Sequence, residues 1–160
     1  MKIIKLFSDA FVVIIITASI ILLLPNMLKA VGINSFVILS GSMEPLIHTG
    51  SVVMVDSREK DIEVGDIILY RMQGTNIVHR VIGINEDGSL ITKGDNNEGQ
   101  DFAPVTLPQV YGKAVKLPWG WCIPYAGYFS NWLQMNRVYL LIAIVGIVVC
   151  RIILIYATDP

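Results

Sequence analysis

The chain reads DIILYRMQGTNIVHRVIGI from Asp66 to Ile84. Aliphatic and β-branched residues fill both halves of this stretch, and a glycine-containing turn at Gln73-Gly74-Thr75 separates them. Short runs of this kind on either side of a turn are typical of antiparallel strands. The stretch therefore predicts two strands and sets the class of fold for the middle of the chain.

Runs of similar composition on both sides extend this pattern into a small, mainly β domain. Further turns lie at His48-Thr49-Gly50 and at Asn85-Glu86-Asp87-Gly88, the second with an Asp-Gly pair that favours positive φ. No helical periodicity or internal repeat interrupts the pattern. The predicted strands are Phe36–Leu39, Ser51–Val55, Asp66–Arg71, Asn76–Ile84, Ser89–Lys93 and Val110–Val115.

The two ends of the chain are apolar enough to cross a bilayer. Phe11–Leu24, with the apolar residues before it, makes about 20 residues, the length of a transmembrane helix. Val138–Tyr156 is interrupted only by Arg151, near its end, where a long side chain can reach the headgroups. A cleavable signal peptide is the alternative for the first run, but Pro25 and Leu28 follow it where small residues would be expected. A retained anchor fits better.

Lys2 and Lys5 place the N-terminus in the cytoplasm by the positive-inside rule, and two spans return the C-terminus to that side. We therefore predict an antiparallel β domain that faces outward between two transmembrane helices. The predicted organisation is a cytoplasmic tip and anchor at 1–25, the β domain at 26–117, an aromatic interfacial segment at 118–137, and a C-terminal transmembrane helix with a short tail at 138–160.

The predicted interfacial segment contains all three tryptophans. Such rings suit the headgroup layer, and some of them could equally fill the core of the β domain. Cys122 and Cys150 are not expected to pair or to bind metal, and both are predicted to be small buried hydrophobes. With a net charge of −1, the chain has no basic surface for nucleic acid and no polybasic lipid-binding segment. We expect no cofactor and no metal.

The turn around Ser42 is the first candidate for chemistry. Gly41 permits unusual backbone angles and Pro45 forces its predecessor out of helix, so the sequence LSGSMEP ends a strand and opens a turn. Such a turn can present Ser42 exposed, with its backbone amide free. The same sequence is also common in ordinary solvated turns.

A serine nucleophile needs a neighbouring base, and the chain has two histidines. His79 lies in a predicted strand, where a structural role is the alternative, and His48 lies in a predicted turn. An acid that fixes the tautomer of the histidine would complete the constellation. Asp95 and Asp101 both follow a predicted strand, and either could approach His79.

Four short blocks occur in order along the chain, and together they resemble the type I signal peptidases. The resemblance is to the branch found in the endoplasmic reticulum, archaea and some Gram-positive bacteria, and it covers nearly the whole chain. The blocks are Ser40–Pro45 (SGSMEP), Val64–Ile68 (VGDII), Ile77–Val81 (IVHRV) and Thr92–Asn97 (TKGDNN).

This resemblance implies a membrane-bound serine endopeptidase that removes signal peptides at A-x-A-like sites. It implies that Ser42 attacks the scissile carbonyl and that His79 takes its proton. Asp101 falls at the position of the orienting acid, and Asp95 at that of a supporting residue that shapes the loop. The backbone amide of Ser42 and the hydroxyl of Ser40 would form the oxyanion hole.

The implied partners are preproteins with signal peptides, the lipid bilayer and the protein export machinery. The long second span favours a stand-alone enzyme in a prokaryotic plasma membrane over a subunit of the reticulum complex. Two alternatives remain open. One is a self-cleaving repressor type of serine peptidase with a lysine base, against which the two spans and the outward domain argue. The other is a catalytically silent, membrane-anchored β domain that binds exported partners.

Overall fold

A computed structural model of the chain describes residues 2–158, with side chains described for 12–21 and 23–151. The side chains of Lys2 and Lys5 and the last two residues of the predicted tail lie outside this description. The described chain forms two compact units. One unit is Asn26–Phe129, and the other is Met1–Pro25 together with Ser130–Pro160.

The first unit contains one six-stranded sheet in which every pair of neighbouring strands is antiparallel. A short 3-10 helix at Leu107–Gln109 precedes the last strand. The spatial order of the strands is β1-β2-β6-β3-β4-β5. The strands are β1 Ile33–Val37, β2 Val52–Asp56, β3 Ile67–Met72, β4 Thr75–Ile84, β5 Leu90–Lys93 and β6 Val110–Ala114.

The hairpin predicted from Asp66–Ile84 is formed by β3 and β4. Met72 pairs with Thr75 across the turn, and Ile68 pairs with His79 further along. Gln73 and Gly74 both have positive φ, 50° and 80°. Two consecutive residues of this kind give the turn whose twist matches that of the flanking strands. The prediction of antiparallel β structure is therefore confirmed.

The first predicted strand, Phe36–Leu39, is offset from β1. The last register pair of β1 is Val37 with Val52. Beyond it, the Ile38 amide donates to the Ser51 carbonyl, and the Ile38 carbonyl accepts from the Gly50 amide. Leu39 has left the sheet and is 85% exposed. The apolar run continues beyond the strand because Ile38 is buried in the core. The other five predicted strands agree with β2 to β6 within one residue at each end.

Two apolar clusters lie on the sheet, and the alternation of β3 divides its residues between them. Ile67 and Leu69 join one cluster, whereas Ile68 and Tyr70 join the other. Met43, which directly follows Ser42, belongs to the first cluster and is only 1% exposed. The turn that carries Ser42 is thus pinned to the core by its next residue.

The aromatic segment before the second helix divides its side chains between core and surface. Trp121 packs against the first cluster, and Cys122 is buried within it, whereas Trp119 is 67% exposed. Cys122 therefore agrees with its prediction. Cys150 lies on the exposed surface of the C-terminal helix, away from the core, and its burial in a membrane span stays a prediction. Neither cysteine forms a disulfide.

The C-terminal helix α2, Ala126–Thr158, begins well before the predicted start at Val138. Its part from Ala126 to Arg151 is long and apolar enough to cross a membrane. The N-terminal helix α1, Lys2–Ala30, meets this criterion only if two pieces bent by 42° are counted as one span. The structure therefore has a C-terminal apolar helix as predicted, and the arrangement with two spans stays a prediction.

The beginning of α2 belongs to the same unit as the sheet. The backbone amide of Gly127 donates to the carbonyl of Gly50 at 2.8 Å. A Cβ atom on Gly127 would lie 2.5 Å from Cγ1 of Val37 and 2.6 Å from the Gly50 oxygen. Only glycine lets the helix approach the sheet this closely.

Candidate active site

The turn that carries Ser42 is a compact loop between β1 and β2. The amide of Glu44 donates to the Gly41 carbonyl at 3.1 Å, and that of Ile47 donates to the Met43 carbonyl at 2.9 Å. Met43 and Ile47 are buried, while Ser42 between core and solvent is half-buried. The local bonds and the two buried side chains hold Ser42 at the surface of the domain.

Ser42, His79 and Asp101 form a chain of hydrogen bonds. Ser42 Oγ lies 3.1 Å from Nε2 of His79, and Nδ1 of the same ring lies 2.7 Å from Oδ2 of Asp101. A ring that carries its proton on Nδ1 satisfies both contacts, since Nδ1–H then donates to the carboxylate and Nε2 accepts from the serine. His79 is 8% exposed, so this arrangement is largely shielded from water.

Two buried hydroxyls also donate to the Asp101 carboxylate, and the sequence did not single out either. Tyr70 OH and Thr92 Oγ1 lie 2.8 Å and 2.6 Å from Oδ2. Thr92 opens the TKGDNN block, whereas Tyr70 carried no signal beyond its place in a strand. Their contacts join residues far apart in sequence, which strand alternation alone does not reveal.

These hydrogen bonds decide the ionisation of the site. Burial by itself raises the pKa of Asp101, but hydrogen bonds from Thr92, His79 and Tyr70 outweigh it and hold that pKa below the usual value. Burial and the neighbouring carboxylate raise the pKa of Tyr70 well above its usual value. Asp101 is therefore a carboxylate and Tyr70 a neutral donor at neutral pH.

Asp95, the other acid that the sequence left open, contacts Arg80 instead of His79. Nε and Nη2 of Arg80 lie 2.8 Å and 2.7 Å from the two oxygens of Asp95, and Nη1 donates to the Gly65 carbonyl at 2.8 Å. Arg80 and His79 are successive residues of a strand, so their side chains leave opposite faces. The structure therefore brings Asp101, and not Asp95, to His79.

The loop that carries Asp95 also contacts the Ser42 turn directly. The Asn96 amide donates to the Ser42 carbonyl at 2.8 Å, and Nδ2 of Asn96 donates to the Gly41 carbonyl at 3.2 Å. A Cβ atom on Gly94 would lie only 2.6 Å from the backbone carbonyl oxygen of Ser42. Sequence reasoning found both blocks but not their contact.

Ser40 and His48 complete the set of predicted residues. Ser40 is exposed, and its Oγ lies 3.3 Å from that of Ser42, so the two hydroxyls lie side by side. His48 stacks on Tyr125 with ring centroids 6.0 Å apart and planes inclined by 8°. Of the two histidines, His79 is the one in contact with Ser42.

An apolar groove of about 600 Å³ opens beside Ser42 and His79. One wall is the end of β1 and the segment after it, and the opposite wall is the first half of β4. Among the described residues, no group of three or more His, Cys, Asp or Glu side chains could hold a metal ion. The groove is lined by Phe36, Val37, Ile38, Leu39, Ser40, Ser42, Met43, Leu69, Thr75, Asn76, Ile77, Val78, His79 and Asn97.

A hydrogen-bonded serine, histidine and aspartate at the edge of such a groove is an arrangement that many serine peptidases share on unrelated folds. The family model described as Peptidase S24-like matches residues 27–115. The signal peptidase complex catalytic subunit SEC11 of Saccharomyces cerevisiae (strain YJM789) is 34% identical over 110 residues, which are 63% of this chain and 66% of that protein. The subunit of the same name from Zygosaccharomyces rouxii is 34% identical over 119 residues, 69% of this chain and 71% of that protein.

The chain thus spans about two thirds of the length of these relatives. It belongs to the Peptidase S24-like family, and its relatives place it among the serine-type signal peptidases. The family resemblance predicted from the four sequence blocks is confirmed.

Proposed function

We propose that this chain is a membrane-bound serine endopeptidase that removes signal peptides from exported preproteins, with Ser42, His79 and Asp101 as its catalytic residues. The observation that carries the proposal is the continuous hydrogen-bonded path from Ser42 Oγ through both ring nitrogens of His79 to Asp101. Membership of the signal peptidases supplies the substrate class.

In the proposed reaction, Ser42 Oγ attacks the scissile carbonyl carbon while Nε2 of His79 takes the hydroxyl proton. Asp101 accepts the Nδ1–H bond and stabilises the imidazolium that forms. The C–N bond then breaks, and the proton on Nε2 passes to the leaving amine. A water molecule deprotonated by His79 hydrolyses the acyl-enzyme and restores Ser42.

The negative charge of the tetrahedral intermediate requires donors that are already in place. We assign this role to the backbone amide of Ser42 and the hydroxyl of Ser40. The 3.3 Å separation of the two serine hydroxyls supports Ser40, because the carbonyl attacked by one would lie within reach of the other. Asp95 has a supporting role, since its ion pair with Arg80 holds the loop that contacts the Ser42 turn.

The apolar groove is the proposed site for the residues before the cut. In the described sheet β5 pairs with β4 only from Arg80 onward, so the edge of β4 from Thr75 to His79 faces the groove. An extended peptide can add to such an edge through backbone hydrogen bonds. Small side chains at the first and third positions of an A-x-A-like site would then point into the groove.

For the membrane, we propose that α2 spans the bilayer, that α1 is a retained anchor, and that the β domain faces away from the cytoplasm. The preference for a prokaryotic plasma membrane has no support from the comparisons, because the relatives named above come from yeasts. Those relatives are named as subunits of a complex. Companion subunits are therefore proposed as partners of this chain, in addition to the export machinery.

The test is to incubate the purified full-length protein in detergent with a preprotein that has an A-x-A site and to identify the new N-terminus by mass spectrometry. We expect cleavage by the wild type and none by Ser42→Ala or His79→Ala. Ser57→Ala and His48→Ala are the matched controls and should cleave normally. Active His79→Ala protein would refute the proposed base.

Labelling with a serine-directed covalent probe separates the enzyme from the two alternatives. Wild type labelled at Ser42, with no label on Ser42→Ala, supports an enzyme. Binding of exported partners without labelling or cleavage would favour the silent β domain. The repressor type needs a lysine as base, whereas the base within reach of Ser42 Oγ is His79. Labelling that survives in His79→Ala would revive that alternative.

A further inference from the structure

Asp101 lies in a loop rather than in a strand, and its neighbours Gln100 and Phe102 are exposed. Phe102 is fully exposed, so its side chain does not fix the loop. The His79 ring, in contrast, is fixed by its place in β4. An acid that orients a histidine must hold its carboxylate within a few tenths of an ångström, and a loop flanked by exposed residues does not do this alone.

Resting on the function proposed above, we propose that Tyr70 and Thr92 are positioning residues, which lock the Asp101 carboxylate against His79 by donating to its Oδ2 atom. The three donors to this oxygen come from three neighbouring strands. Tyr70 lies in β3, His79 in β4 and Thr92 in β5. Three strands of the sheet thus each supply one hydrogen-bond donor to the same carboxylate oxygen of Asp101.

The contacts to Thr92 fix both the backbone and the side chain of Asp101. The Asp101 amide donates to the Thr92 carbonyl at 2.8 Å, while the Thr92 hydroxyl donates to the carboxylate at 2.6 Å. Tyr70 also touches two members of the site, since its ring packs edge-on against His79 with centroids 6.3 Å apart. Removal of either hydroxyl would free the carboxylate to rotate.

Tyr70 and Thr92 are buried, and burial leaves their hydroxyls few partners other than the Asp101 carboxylate. Tyr70 and Thr92 are each 1% exposed. A buried hydroxyl without a partner is costly, so each is expected to have an acceptor, and the charged oxygen of Asp101 is the strongest acceptor within reach. Neither side chain lines the groove, so neither would contact substrate.

The same bonds share the negative charge of Asp101 over several donors. Among the described residues, the titratable groups that contact this carboxylate are His79 from β4 and Tyr70 from β3. Hydrogen bonds to a carboxylate favour its charged form, so loss of one makes the His79–Asp101 pair easier to protonate. The acidic limb of the activity profile would then move to higher pH.

The experiment compares Tyr70→Phe, Thr92→Val, Thr92→Ser and the double variant Tyr70→Phe with Thr92→Val in preprotein cleavage. We expect kcat to fall about tenfold in each single variant that loses a hydroxyl and about 100-fold in the double variant, with KM unchanged. Thr92→Ser restores the donor and should retain nearly full activity. Tyr139→Phe, on the exposed surface of α2, is the control for loss of a phenol.

The pH profile and a spectroscopic readout separate positioning from a general loss of stability. The acidic limb of kcat/KM should shift upward in Tyr70→Phe and Thr92→Val, and the NMR signal of the His79 Nδ1 proton should move. Folded variants with unchanged kcat, profile and proton signal would overturn the proposal while wild-type cleavage left the proposed function intact. An inactive wild type would instead refute the function, and the proton signal would still test the positioning.

Discussion

The backbone amide of Asn96 donates to the carbonyl of Ser42, with 2.8 Å between nitrogen and oxygen. This bond joins the loop after β5 to the turn before β2, and the side chain of Asn96 adds a second bond between them, to the Gly41 carbonyl. The close approach depends on Gly94, whose missing side chain leaves room for the Ser42 oxygen. The position of Ser42, the proposed nucleophile, therefore depends on the first residues of the loop that also carries Asp101.

Gly94→Ala should impair catalysis strongly. The added Cβ would lie 2.6 Å from the Ser42 oxygen, which is backbone and must move to accommodate it. A displacement of the nucleophile by about 1 Å can cost about 100-fold in kcat. Gly99→Ala is the matched control, because nothing lies within 4 Å of its new Cβ. Equal turnover in the two variants would contradict this account of the loop.

Asp101→Asn should mainly reduce turnover, whereas Asp95→Asn should mainly reduce stability. Asp101→Asn removes the negative charge that stabilises the imidazolium, and its NH2 group can donate to Nδ1 and fix the wrong tautomer of His79, so we expect kcat to fall about 10⁴-fold. Asp95→Asn weakens a partly exposed ion pair with Arg80, worth about 1 kcal/mol of unfolding free energy. Turnover and chemical denaturation, measured on both proteins, check this. A larger loss of turnover in Asp95→Asn would reverse the assignment of the acid.

The stability of the protein should fall in acid, partly through Asp101. Its pKa is lowered in the folded protein, so its contribution is present above the usual value of 3.8 and is lost as the pH falls through the folded pKa. The free energy of unfolding, measured by chemical denaturation near about pH 3 and about pH 6, should differ less between the two pH values in Asp101→Asn than in the wild type. An identical difference would mean that this carboxylate is not coupled to folding.

Ser40→Ala tests the second donor of the proposed oxyanion hole. Loss of one such donor lowers turnover by about 10² to 10³ without affecting the fold. Ser40 is exposed and contacts Ser42 through its hydroxyl, so the change should leave the thermal midpoint unchanged. Ser57→Ala serves as the comparison, and cleavage kinetics measure the effect. Normal turnover in Ser40→Ala would remove this residue from the hole.

The sequence predicted what depends on local pattern. The hairpin followed from two short aliphatic and β-branched runs and from Gly74 between them, whose positive φ a tight turn requires. The choice between the two acids was beyond local pattern, since both follow the same strand and only the path of the loop brings one of them to His79. Tyr70 and Thr92 escaped detection because their hydroxyls meet Asp101 through packing across three strands. The end of β1 was misplaced because burial of Ile38 prolongs the apolar run past the last strand pair.

The bond between Gly127 and Gly50 has a consequence for engineering the protein. In the described chain, no flexible linker separates the start of α2, the proposed membrane anchor, from the β domain. Its first turn is fastened to the exit of the loop that carries Ser42, and no side chain larger than hydrogen fits at the junction. A foreign anchor spliced onto the domain must therefore keep the native chain through Gly127, or it will remove a piece of the catalytic domain itself.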